Sequence, residues 1–139
     1  MLSCEVLQQF DDNARLAFER WGPCFDGLHE MLAFSTLAYA GGVTGPFGAG
    51  FEEEFVKYMA GTGRNPFPET IQKAWFDAAM TTGPYGGSNL GRTGDPAVLG
   101  PIASGGIWDI NDYWWGMGSV GPRIRAPQIR GWYYLTQSN

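Results

Sequence analysis

Apolar side chains at Leu7, Phe10, Ala14, Phe18 and Trp21 recur at steps of three or four residues, the spacing that lines one face of an α-helix. Glu5, Asp12, Arg15 and Glu19 fall away from that face, so residues 2–21 are predicted helical, with Gly22-Pro23 as the stop. Leu28, Met31, Leu32, Phe34, Leu37 and Tyr39 cover most of a helical circumference, which predicts a central helix over residues 26–40, capped by Asp26. A third helix is predicted over residues 51–60. There Phe51, Phe55 and Met59 repeat every four residues, with Glu52, Glu53 and Glu54 in the first turn, where the helix dipole favours acids. A fourth begins at Pro66-Phe67-Pro68 and carries Ile71, Ala74, Trp75, Ala78 and Ala79 on one side until Gly83-Pro84.

Beyond Gly83 the helical period disappears. Residues 83–127 hold 11 glycines and 5 prolines, and so long an irregular stretch is usually a functional surface or one ordered by a partner. Residues 107–113 alternate imperfectly, and residues 128–137 contain Trp132-Tyr133-Tyr134-Leu135-Thr136, which suits a pleated surface. One or two short strands are predicted there. The expected fold is α+β and mainly helical: about four helices in residues 1–82 packed against an irregular, aromatic half in residues 83–139. At 139 residues the chain fits a single domain spanning 1–139.

Charge narrows the partners. The formal net charge is −5; residues 1–82 carry 11 acids and 5 bases, residues 83–139 carry 3 and 4. No large electropositive face exists for counterion release, so duplex nucleic acid is disfavoured. Residues 31–51 are uncharged, but their five glycines and one proline would leave backbone groups unsatisfied in lipid, so no membrane span is expected. On a helix from Cys4 to Arg20 the 16 residue steps span roughly 24 Å, and the four residues that lead on to Cys24 are too short to fold back to the roughly 7 Å between Cα atoms that a disulfide needs, so no bridge is expected. Two free thiols and the lack of a leader-like apolar run point to a reducing, cytoplasmic setting.

Candidate chemistry is sparse. His29 is the only histidine, and its neighbour Cys24 suggests a thiolate pair only if a fold joins them; two cysteines and one histidine do not make a structural zinc set. Glu52–Glu54 have a structural explanation in the dipole, although acids such as Glu53 and Asp109 flanking an aromatic cleft would suit glycoside chemistry. Gly86-Gly87-Ser88-Asn89-Leu90-Gly91-Arg92 offers a glycine loop with an arginine clamp, yet matches neither the phosphate-loop nor the dinucleotide fingerprint. Asp109, Asn111 and Asp112 present oxygens without the calcium-loop spacing. No catalytic residue, metal or cofactor is assigned.

The segment from Trp108 to Trp115 carries the strongest signal. Its rings cannot all point inward, and Trp and Tyr dominate binding hot spots. The candidate binding residues are Trp108, Tyr113, Trp114 and Trp115, with Arg92, Arg123 and Arg125 as planar cations beside them. The sequence therefore predicts a non-catalytic binding or assembly module that docks its aromatic half on a protein partner or on itself, as virion or secretion-machine subunits do. A small toxin or cell-wall hydrolase-type enzyme, with carbohydrate on the aromatic rings, is the alternative. An acidic inhibitor mimicking nucleic-acid phosphates through Glu52–Glu54 is a further one.

Overall fold

The computed structural model describes residues 6–36, 50–62, 65–82, 94–103, 112–114 and 116–137. These contain α1 (Ala17–Trp21), β1 (Met31–Phe34), α2 (Phe51–Ala60), α3 (Ile71–Thr82), β2 (Pro96–Ala103) and β3 (Ile129–Thr136), with short 3-10 turns at Gly22–Cys24 and Ala126–Gln128. The strands form one antiparallel sheet in the order β1-β2-β3.

The register sets the layers. Leu32 pairs with Val98, which pairs with Leu135, while Met31, Leu99 and Tyr134 form the adjacent row. Because side chains alternate across a strand, one face receives Leu32, Phe34, Val98 and Tyr133, packed with Phe51 and Trp75 of the α2–α3 hairpin. The opposite face receives Ala33, Ala97 and Leu99, covered by Leu7, Ala17 and Phe25. Phe34, Phe51, Phe55 and Trp75 meet mostly edge to face at 4.8–5.5 Å between centroids, the arrangement that ring quadrupoles favour. Tyr58 and Thr81 join the two helices through their hydroxyls at 2.8 Å.

The prediction of a mainly helical molecule with about four helices is overturned. α2 and α3 form where the periodicity placed them, but residues 2–21 and 26–40 do not fold as two helices. In the first segment Asp11 accepts hydrogen bonds from the amides of Asn13 and Arg15 at 3.0 and 2.9 Å, diverting them from a helical ladder. Ala14 adopts φ +58°, and Phe10 bridges Leu16. Among the described residues of that segment only α1 is helical. In the second segment, apolar positions all round mean burial on both faces of a strand, a pattern that periodicity cannot separate from a buried helix.

β2, unpredicted, is the centre of the sheet. Pro96 is its first residue, and β1 covers only Pro96–Leu99, so Pro101 lies where β2 has a single neighbour and a missing N–H is tolerated. A bulge follows at Ile102–Ala103. Gly100 pairs with Tyr133, whose ring occupies the space of a side chain: a Cβ on Gly100 would lie 2.2 Å from the ring. β3 forms where the aromatic run predicted it, whereas the strand predicted over residues 107–113 falls mostly outside the described residues.

Candidate functional site

Where β1 begins, the chain meets the segment that precedes β3. Gly27 donates its N–H to Ile124 O at 3.0 Å, Ala126 donates to Asp26 Oδ1 at 3.2 Å, and Arg125 approaches Asp26 at 3.7 Å. Gly27 has φ +86°, and Arg123 Cδ and Arg125 Nη1 pass at ordinary contact distance from the position of a Cβ there, 3.8 and 3.7 Å. Glycine answers the left-handed backbone.

A loop from Asp112 to Gly121 closes the other side. The Asp112 carbonyl accepts from Ile71 N at 2.8 Å at the start of α3, Thr70 and Tyr113 form an isolated bridge, and Tyr113 N donates to Ser119 O at 3.0 Å. The Asp112 side chain, 8% exposed, accepts from Gly121 N at 2.6 Å on Oδ1 and is hydrogen-bonded on Oδ2 to His29 Nδ1. Through its main-chain carbonyl and its buried carboxylate, Asp112 thus ties helix, loop and strand entrance together.

Between these walls lies a cleft of about 480 Å³, within the range of small-ligand sites. Leu28, Leu32, Ile71 and Val120 give it an apolar lining, and His29, Glu30, Asp112 and Arg123 give it charge. The bond at Nδ1 orients the imidazole and sets its tautomer: with a carboxylate there, Nδ1 carries the proton. Nε2 has no hydrogen-bond partner among the described residues and is not sealed from solvent. Arg123 is exposed and forms no ion pair among the described residues.

Among the predicted site residues, Tyr113 is half-buried, its ring packed over Gly118, where a Cβ would lie 2.4 Å away. Trp114 stands 54% exposed on the same loop. Arg123 lines the cleft, and Arg125 lies beside it on Asp26. Trp108, Trp115 and Arg92 lie outside the described residues, as do Asp109, Asn111, Cys4 and the glycine loop. Cys24 is a free, exposed thiol. Glu53 and Glu54 are paired with Lys57 at 2.8 and 3.4 Å. The described residues contain no cluster of three or more His, Cys, Asp or Glu able to hold a metal, and no helix among them is long and apolar enough to cross a membrane.

The His29–Asp112 pair was not legible in the sequence, since 83 positions separate the partners. The one available signal was the rarity of histidine itself. Elsewhere, Glu69, almost wholly buried before α3, accepts from Asn65 Nδ2 and Lys73 Nζ, both at 2.8 Å. Burial opposes its ionisation, but these bonds and the ammonium charge outweigh it and hold the carboxyl below its ordinary value. The Tyr134 hydroxyl donates to Leu7 O at 2.6 Å; burial pushes its pKa above the usual phenol value.

Fold and site define a three-stranded antiparallel sheet, flanked on one face by a helical hairpin, with an apolar-rimmed polar cleft at the strand entrance. The chain belongs to the family described as a domain of unknown function, DUF6345, whose model matches residues 1–137. No curated protein and no solved structure shows significant similarity to it.

Proposed function

We propose that this protein is a non-catalytic binding or assembly module that docks a protein partner, or a second copy of itself, on the loop from Asp112 to Gly121. The observation that carries this reading is the clustering of Trp114, Met117 and Val120, which are 54%, 43% and 59% exposed within one short loop. Large amphipathic and flexible apolar side chains of this kind supply most of the energy at protein interfaces. The loop is held at its base by Asp112, so little conformational freedom remains to be lost on docking. Cys24, exposed and unbridged, supports a reducing, cytoplasmic setting.

Light scattering and peptide-display selection on the full chain test the proposal. A defined multimer, or selected peptides whose binding is weakened at least tenfold by Trp114→Ala and Val120→Ser, is the expected result. Both side chains are exposed, so these variants should change unfolding free energy by less than ~0.5 kcal/mol. A strict monomer whose selected peptides bind the two variants as tightly as the parent chain would refute it.

A further inference from the structure

We propose that the cleft is a binding site for a monocarboxylate, with the carboxylate held between the Nε2 edge of His29 and the Arg123 guanidinium and the apolar chain lying against Leu28, Leu32, Ile71 and Val120. Asp112 occupies Nδ1, and Nε2 of this cleft-lining histidine has no hydrogen-bond partner among the described residues. In the imidazolium form both nitrogens donate, one to Asp112 and the other to the ligand. Arg123, which lines the same cleft and forms no ion pair among the described residues, supplies the planar donor pair that matches a carboxylate.

The charge count favours a single negative charge over a double one. His29 when protonated and Arg123 contribute two positive charges; Asp112 and Glu30, in the same walls, contribute two negative ones, so the walls balance. A monocarboxylate adds one negative charge beside those acids, whereas a phosphate dianion adds two, the stronger repulsion by which a site rejects a competitor. The apolar lining accounts for a short hydrocarbon or leucine-like chain, which acetate lacks. The site shares Val120 with the docking loop but not Trp114 or Met117, so Trp114→Ala tests the docking surface alone and Arg123→Ala the ligand site alone.

Affinity follows the proton on His29. As pH rises and the imidazole is neutralised, the remaining proton stays on Nδ1 against Asp112, Nε2 becomes an acceptor, and its bond to the carboxylate is lost. The charged groups facing it are Asp112, Glu30 and Arg123; Ile71 from α3 and Val120 and Gly121 from the loop carry no titratable side chain.

With one histidine in the chain, its ring resonances are assigned without ambiguity. The full chain is titrated with sodium hexanoate, hexanamide, N-acetyl-leucine and N-acetyl-leucinamide while the His29 ring is followed by NMR. Saturable shifts are expected with one or both acids and not with the amides. Response to hexanoate alone marks a free acid as the natural ligand; response to N-acetyl-leucine marks a peptide terminus. Arg123→Ala should weaken binding at least tenfold, and hexanoate affinity should fall as the imidazole is neutralised. Asp112→Asn presents a donor to Nδ1, transfers the ring proton to Nε2 and should flatten the pH dependence. Equal response to acids and amides, an unaltered affinity in Arg123→Ala, or no saturation with either acid at millimolar concentration would overturn the proposal.

Discussion

Replacing Asp112 separates the two tasks of its carboxylate. Asp112→Ala removes the acceptor of the Gly121 N–H at 2.6 Å and the partner of His29 Nδ1 at a side chain only 8% exposed. A buried donor left unmade costs about 1–3 kcal/mol; His29 keeps some access to water, its side chain being 17% exposed, so the sum should fall near 2–4 kcal/mol. Asp112→Asn keeps Oδ1 for Gly121 and offers an amide N–H to Nδ1 if the imidazole changes tautomer. Its cost should therefore stay near 1 kcal/mol. Urea unfolding reads the difference: with a slope of about 2 kcal/mol per molar, the Ala variant should lose about 1–2 M in midpoint and the Asn variant about 0.5 M. Amide exchange locates it, because Gly121 should lose protection in the Ala variant and keep it in the Asn variant, while β2 amides change only as far as global stability does. Equal midpoints for the two variants, or full protection of Gly121 in the Ala variant, would refute the carboxylate as the pin of the loop.

Gly100→Ala places a methyl 2.2 Å from the Tyr133 ring in the central strand and should cost about 1–3 kcal/mol in urea unfolding, as overpacking does; no loss would mean that the ring does not lie over Gly100. Glu69 has its carboxyl lowered from 4.5 in the folded state. Its stabilisation is therefore present above that ordinary value and is lost as pH falls through the lower folded one. The half-exposed Lys73 limits it to about 1 kcal/mol. Glu69→Gln should remove that segment of the acid unfolding curve, and an unchanged curve would count against the pairing.

The helices whose signals are local were legible. Phe51–Ala60 carries dipole-matched acids in its first turn, both it and Ile71–Thr82 carry helical spacing within their own residues, and the β-rich run at Trp132–Thr136 announces β3 in the same way. What the sequence could not decide was which surface an apolar run would face. Met31–Phe34 reads as helix or as buried strand until β2 lies beside it, and β2 is disguised by Pro96, Gly100 and Pro101, each tolerated for a reason found elsewhere: the strand start, the Tyr133 ring and the missing neighbour. The same holds for the site. Trp114 and Arg123 could be picked out by residue type, because exposed aromatic rings and guanidinium groups carry their chemistry with them. The cleft itself belongs to tertiary structure alone, since His29 and Asp112 acquire a joint role only when antiparallel pairing brings positions 83 residues apart into one hydrogen bond, a contact that no local pattern of side chains encodes.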